Sequence, residues 1–374
     1  MKRKQKMLNL DNIKYKNFKV GNLFLVEKCK CNKAGDLKIG NIPYIGATNR
    51  NNGLMSFVNK ENKLISQGNC IAFICDGQGS VGYSIYKYEN FIGSTTLKVG
   101  RNSKLNKFNG LFLTSALDKN KSIYDYGYKR NDIRLKNEQI ILPVNEDEEP
   151  DYNHMEEYSK SIINSKTEKY KQYAQKVLNS IEYKNIETLE NKEWENFFLI
   201  DIFTTIQRGK RLTKQNQTKG NIPYISSTSL NNGVDNFIGN KTDVRIFSDC
   251  LTIANSGSVG ASFYQPYNFV GSDHITHLKK ENMNKYVYIF ISTLTNRFSE
   301  KYNFNREIND KRISREKIML PINDRKEPDF QYMEQYMKNL TYKKVNQYLS
   351  FINYDNLKLS LVYFIQRLIN LILV

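Results

Sequence analysis

The sequence predicts an α+β fold: two tandem, strand-rich heads, each followed by a long helix. Three observations predict it. A fourteen-residue frame occurs twice, as GNIPYIGATNRNNG from Gly40 and as GNIPYISSTSLNNG from Gly220. Further segments recur in the same order: GSVG at 79–82 and 257–260, NFIGS at 90–94 against NFVGS at 268–272, and LPVNEDEEPD at 142–151 against LPINDRKEPD at 320–329. Beyond each copy, apolar residues fall into one stripe at helical spacing.

The frame is offset by 180 residues (Asn221 against Asn41), the later segments by 178 (Gly257 against Gly79). The second copy is therefore two residues shorter, between Cys250 and its GSVG turn. A unit of this size is too long for a solenoid repeat and suits a tandem domain. The chain's 374 residues leave room for two domains, and 40% hydrophobic content supplies cores that a disordered chain lacks.

Each copy reads as strands first. CIAFI (70–74) and CLTIA (250–254) are short apolar runs closed by glycine-rich turns. NNG and GSVG are turn chemistry. The segment 284–298, NKYVYIFISTLTNRF, predicts a helix packed on the sheet. Pro150-Asp151 and Pro328-Asp329 close the copies and open helices, the acidic residue capping the first turn.

The first of these helices carries Met155, Tyr158, Ile162, Tyr170, Tyr173, Val177 and Ile181. The second carries Met333, Tyr336 and Leu340 and continues through Tyr348 and Ile352. Each stripe needs a cover, and the other helix is the nearest one. The expectation is an antiparallel coiled coil, a rod of about 45 Å at about 1.5 Å per residue. The expected division is a head over 1–150, a helical spacer over 151–184, a head over 185–328 and a spacer over 329–374.

Fifty-six Lys and Arg against thirty-eight Asp and Glu leave a net charge of +18. That predicts a polyanionic partner, most simply nucleic acid; the alternative is a generally Lys- and Asn-rich proteome. Cys29, Cys31, Cys70, Cys75 and Cys250 are odd in number and show no zinc spacing, as expected of reduced thiols in a cytoplasmic protein. The basic N-terminus has no signal-length apolar core. The apolar end LSLVYFIQRLINLILV is too short to span a bilayer and contains Arg367, so it reads as the buried end of a helix and not as a membrane anchor.

The second head has the clearer anion-binding pattern. QRGKRLTKQNQTKG (207–220) places Arg208, Lys210, Arg211, Lys214 and Lys219 in a loop without apolar periodicity, suited to phosphates or to plain solvation. Arg306, Asn309, Lys311 and Arg312 suit base edges, since Arg reads guanine and Asn adenine; salt bridges with Glu307 and Asp310 are the alternative. Ser227, Thr228 and Ser229 offer short donors and acceptors on a turn. In the first head Arg50, Gln78, Lys129 and Arg130 occupy the equivalent segments, TNRNN, CDGQGS and YGYKRND. His274 and His277 lie close in sequence but have no third metal ligand nearby.

Enzyme motifs are missing. NIPY resembles the Asn-Pro-Pro-Tyr motif of amino-methyltransferases but lacks the middle proline, occurs twice and follows no glycine-rich cofactor loop. Pro150-Asp151 with Glu157 and Lys160 falls on a helix, where a PD-(D/E)xK nuclease needs a strand. GQGSVG lacks the Gly-Lys-Ser/Thr of a phosphate-binding loop. The chain reads as a binder without chemistry of its own.

These segments, together with WENFFLIDIFTTIQRGKRL (194–212), LTIANSGSVGASFY (251–264), FVGSDHI (269–275) and FNREINDKRISREKIMLP (304–321), resemble the specificity subunit of Type I restriction–modification systems. They are also similar to the related subunits of Type IIB enzymes. The resemblance spans nearly the whole chain. It implies two target-recognition domains that each read half of a bipartite double-stranded DNA site. It implies helical spacers that dock two methyltransferase subunits, here through Met155, Tyr158, Ile162, Tyr173, Val177, Met333, Tyr336 and Leu340. It implies no cofactor in this chain: partners bind S-adenosylmethionine, and in the Type I case a translocase-nuclease uses ATP and Mg²⁺. The first head departs from the pattern by lacking the tryptophan and the RGKRL run. The competing reading is a stand-alone nuclease or methyltransferase whose site no motif reveals.

Overall fold

A computed structural model describes residues 13–355 except 33 and 304. The apolar end at 359–374 and the start of the basic N-terminus lie outside the described residues. The chain divides into two compact units, Met1–Lys171 and Gln172–Val374, and the division falls inside the first long helix.

The first unit runs β1 (Tyr15–Lys19), α1 (Val20–Leu23), β2 (Leu25–Lys28), β3 (Ile39–Ile45), β4 (Leu54–Val58), β5 (Ile65–Ser66), β6 (Cys70–Ile74), β7 (Ser84–Lys87), β8 (Phe91–Gly93), β9 (Leu97–Arg101), α2 (Lys107–Leu117), α3 (Asp132–Asn137), β10 (Gln139–Pro143) and α4 (Tyr152–Ser180). The second unit contains the end of α4 and then β11 (Trp194–Phe198), α5 (Leu199–Ile202), β12 (Thr205–Arg208), β13 (Lys219–Ile225), β14 (Val234–Ile238), β15 (Ile246–Phe247), β16 (Cys250–Ala254), β17 (Ser262–Gln265), β18 (Phe269–Gly271), β19 (Ile275–Lys279), α6 (Lys285–Thr295), α7 (Asp310–Ile313), β20 (Lys317–Pro321) and α8 (Phe330–Asp355). The order is the same twice, strand for strand.

Each head has two four-stranded sheets and a closing pair. In the first the orders are β2-β9-β6-β7 and β4-β3-β8-β5; in the second, β12-β19-β16-β17 and β14-β13-β18-β15. The apolar runs CIAFI and CLTIA are β6 and β16, central strands with every residue buried, as continuous apolar runs require. The chain's entry into and exit from each head pair antiparallel, Tyr15 with Pro143 and Trp194 with Pro321. That pairing explains why the LPVN/LPIN segments recur: they close the head.

The invariant NNG has a backbone cause. Asn51, Asn52 and Gly53 take φ of 48°, 52° and 77°, and Asn231, Asn232 and Gly233 take 49°, 53° and 81°. Asn and Gly are the residues that occupy this left-handed region most readily. The segment before it can be rewritten while this turn holds the backbone path.

The predicted caps form. Asp151 accepts from the His154 N–H at 2.9 Å, and Asp329 from the Tyr332 N–H at 2.9 Å. They open helices of 29 and 26 residues. The segment 284–298 is largely α6, capped by Asn284 and buried against its sheet through Val287, Phe290 and Ile291.

The stripe does not act as one docking line. Met155 is wholly buried in the first head's core with Leu23, Leu113 and Leu142. Met333 is likewise buried in the second, where Val177 and Tyr336 also pack. Tyr158 meets Phe112 of α2 edge-on at 5.7 Å. Met155 and Tyr158 anchor α4 to the first head and Met333 and Tyr336 anchor α8 to the second, while Val177, near the end of α4, packs in the second; Met155 and Met333 are unavailable to a partner. Ile162, Tyr173 and Leu340 are exposed. In the second unit the segment after α4 is strapped to α8: the Asn339 side chain donates to the Lys184 carbonyl at 2.6 Å and accepts the Lys184 N–H at 3.0 Å.

Candidate nucleic-acid interface

In each head the segments singled out in the sequence converge at one end. In the second, the Ser258 N–H donates to the Ser227 carbonyl, and the Asn255 N–H to the His274 carbonyl. The Ile308 N–H donates to the Asn255 carbonyl, and Arg208 Nε to the Asp273 carbonyl. These four bonds tie together the loops after β12, β13, β16 and β18 and the segment before α7. The first head repeats the cluster: the Asn49 N–H meets Ser80 Oγ, the Cys75 N–H meets the Thr96 carbonyl, and the Arg130 N–H meets the Cys75 carbonyl.

The basic loop begins with a forced close approach. Gly209 and Lys210 donate their N–H groups to the carbonyls of Ile275 and Gly271, both at 3.0 Å. A Cβ on Gly209 would lie 2.1 Å from the Ser272 carbonyl oxygen, which only glycine avoids. The loop's five cations separate by role. Arg208 is half-buried and braces the Asp273 loop, and Lys210 pairs with Asp243 at 3.2 Å. Arg211, Lys214 and Lys219 are exposed and form no ion pair among the described residues. Lys214 and Lys219 border a hollow of about 450 Å³ with Gln217, Asn236 and Phe237.

The rewritten middle of the frame sits on one backbone path in both heads. Thr48 Oγ1 accepts from the Arg50 N–H and Thr228 Oγ1 from the Leu230 N–H, each at 3.1 Å. Thr228 therefore shapes the turn, as does Ser227, whose backbone is bonded to the next loop. Ser229 is exposed. The tip presents Arg50 in the first head and Leu230, 63% exposed, in the second. Leu230 went unnoticed in the sequence because an apolar residue in a polar loop reads as core. Its offset of 180 from Arg50 was the available signal.

One residue is not the direct reader its type suggested, and two others are partly committed within the head. Arg130 is wholly buried: its guanidinium holds Glu138 at 2.8 and 2.9 Å, Ser84 Oγ at 3.0 Å and the Gly82 carbonyl at 3.1 Å. It stabilises the core under the loops and cannot reach a ligand. The Asn309 Oδ1 caps α7 by accepting the Arg312 N–H at 2.9 Å, which commits one of its two lone pairs to the helix. The Arg312 guanidinium is held by the Glu307 carbonyl. Of the others, Gln78 is exposed, and Lys129 is exposed but paired with Asp76 at 2.8 Å. Arg306 lies over the Tyr302 ring at 5.4 Å, and Lys311 is exposed.

The buried nucleophiles are ill-suited to catalysis. All five cysteines are free and buried; burial pushes the thiols of Cys70 and Cys250 up to about 12 and that of Cys75 up to about 11. His277 lies in β19, stacked on Phe247, with Nδ1 at 2.9 Å from the Gln207 carbonyl; burial lowers its proton affinity. Among the described residues no three His, Cys, Asp or Glu side chains are grouped to hold a metal, and no helix is long and apolar enough to cross a membrane.

Two heads of one fold, each gathering exposed polar loops at one end above a closed core, define a duplicated recognition protein. The family described as Type I restriction modification DNA specificity domain matches residues 12–172 and again 191–349, and the chain belongs to it. It is 29% identical over 340 residues to the Type II restriction enzyme BgcI specificity subunit S.BcgI of Heyndrickxia coagulans, covering 90% of this chain and 97% of that one. Its fold is similar to that of a Type-I restriction-modification system S subunit from M. genitalium, with a TM-score of 0.50, 17% identity and coverage of 93% and 94%. The chain is a specificity subunit of a restriction–modification system, and its function is recognition of DNA sequence.

Proposed function

We propose that the two heads read separate halves of a bipartite double-stranded DNA site, and that the chain carries two methyltransferase subunits to it without chemistry of its own. One observation carries this reading: the same Thr-anchored turn presents Arg50 in one head and Leu230 in the other. An arginine can bond guanine O6 and N7 together, whereas a leucine can only make apolar contact, as with the thymine methyl. The same scaffold thus supports two different readings. Arg211, Lys214 and Lys219, exposed on the second head, supply sequence-independent phosphate contacts that hold register.

In this reading α4 and α8 pair as an antiparallel coiled coil and set the distance between half-sites. Their exposed Ile162, Tyr173 and Leu340 belong to the surface that meets partner subunits. Those partners bind S-adenosylmethionine, and where a translocase-nuclease joins, ATP and Mg²⁺. The assembly works in the cytoplasm, where its DNA lies.

Co-purification from the native host, followed by sequencing of methylated sites, tests the proposal. The expected result is a two-part site and methylation only by the complex. An Arg50→Leu exchange should alter one half of that site and leave the other. Methyl transfer or cleavage by the lone purified chain, given S-adenosylmethionine and Mg²⁺, would instead establish a stand-alone enzyme.

A further inference from the structure

The segment YGYKRND ends the first head's loop cluster in a tight turn that the reading above leaves unused. Asp125 and Tyr128 exchange backbone hydrogen bonds at 3.2 and 3.3 Å, and Asp125 Oδ1 also accepts the Tyr128 N–H at 2.7 Å. Tyr126 and Gly127 form the tip. The Tyr126 ring is 76% exposed, one of the most exposed large apolar surfaces among the described residues.

The turn is mounted rigidly. Arg130, fixed by Glu138, lies over the Tyr124 ring at 5.4 Å. Tyr124 donates its hydroxyl to Glu138 at 2.8 Å and stacks on Tyr128 at 6.2 Å. Arg134 covers Tyr128 at 3.6 Å. A column of two stacked rings between two guanidinium groups thus runs from the buried ion pair to the base of the turn. Lys129 joins the turn to the neighbouring loop through Asp76 and lies 5.7 Å from the Tyr126 ring.

The second head builds the same turn. Asn303 and Arg306 exchange backbone hydrogen bonds, and Arg306 lies over Tyr302. At the offset of 178 the sequence places Phe304, itself outside the described residues, opposite Tyr126. Its neighbours differ: Gly127 faces Asn305, Tyr128 faces Arg306 and Lys129 faces Glu307. An aromatic at this sequence position is what the two heads share while its neighbours change.

We infer that Tyr126 is a stacking wedge: its ring inserts against a base of the first half-site and unstacks one step, with Lys129 on the adjacent phosphate. Every base has a π-face, so such a contact adds affinity without choosing sequence, which suits a residue type common to two heads of different specificity. An unstacked step also eases the extrusion of a base that methyl transfer requires. Desolvation of the exposed ring is the driving term, and the rigid mount reduces the ordering cost.

The inference rests on the assignment of this end of the head to DNA, and the experiment separates the two. The full chain selects duplexes from a random-sequence library, and 2-aminopurine is then scanned through the selected half-sites. The wild type and Tyr126→Phe should raise 2-aminopurine fluorescence at one step of the first half-site. Tyr126→Ala should abolish that rise and weaken binding about tenfold to a hundredfold, with an unchanged melting temperature because the ring is exposed. Selection of no sequence by the wild type would overturn the DNA assignment itself. Sequence-specific binding by Tyr126→Ala with undiminished affinity, or a wild type that raises no fluorescence at any step, would overturn the wedge alone.

Discussion

Arg130 holds Glu138 with two nitrogens, at 2.8 and 2.9 Å, in a site closed to solvent. The second head keeps the carboxylate as Glu316 but takes its cation from Lys301 at 2.7 Å, with the Tyr302 hydroxyl also donating. Ile308, buried, stands at the offset of 178 from Arg130. One structural need, a neutralised carboxylate beneath the loops, is met from two different positions.

Breaking the first of these pairs should be expensive. Arg130→Met leaves Glu138 charged, buried and without its guanidinium, a loss of about 3–5 kcal/mol. Lys301→Met should cost far less, because the Lys301 side chain is half exposed and water can replace it. Chemical denaturation of each variant measures the difference. Equal costs, or a loss under about 1 kcal/mol for Arg130→Met, would contradict the structural role given to the pair.

The basic loop should divide by function. Arg211→Ala, Lys214→Ala and Lys219→Ala should each reduce the slope of log affinity against log salt by about 0.9 and weaken binding alike on all sequences. Arg208→Ala should chiefly lower the melting temperature, because Arg208 braces the Asp273 carbonyl. DNA titrations at several salt concentrations decide it; an unaltered slope in the triple variant would make the loop a solvated surface only.

Acid should destabilise the second head through His277. Its folded proton affinity is lowered from the ordinary 6.5, first by burial. The unfolded chain then binds the extra proton more readily. Stability is full above pH 6.5 and falls as pH drops from there through the lower folded value. A His277→Val variant, carrying the residue that Val99 supplies in the first head, should lose this part of the acid-side slope. Melting temperatures from pH 8 down to pH 5 measure it, and a variant as acid-sensitive as the parent would show that other groups set the slope.

The helices are open to a length test. Four residues inserted after Ser165 lengthen α4 by about 6 Å, at about 1.5 Å per residue. DNA rises about 3.4 Å per base pair, so the gap between half-sites should grow by about one or two base pairs while the half-sites stay the same. Sequencing methylated sites from the complex reads the spacing. An unchanged gap in an active complex would remove α4 as the ruler, and altered half-sites would displace the reading surface from the loops.

Much of this protein was decided by local pattern, and so could be read in the sequence. The central strands at Cys70 and Cys250, the Asn-Asn-Gly turns and the Asp151 and Asp329 caps each depend on residues within one turn or strand, and the duplication shows as the same local segments occurring twice in the same order. The fates of individual cations were not local. Arg130 and Lys214 are alike in the sequence, each a cation in a polar loop. Arg130 turns inward because Glu138, Ser84 and the Gly82 carbonyl converge on it once distant strands pair, whereas Lys214 meets no such set. The apolar Ile308 opposite Arg130 was the one sequence signal of that burial. Met155 and Met333 follow the same logic: their helical period marks an apolar face, but only tertiary packing chose each helix's own head to cover them. Periodicity records which residues must leave water; which neighbour removes them depends on contacts between segments far apart in the chain.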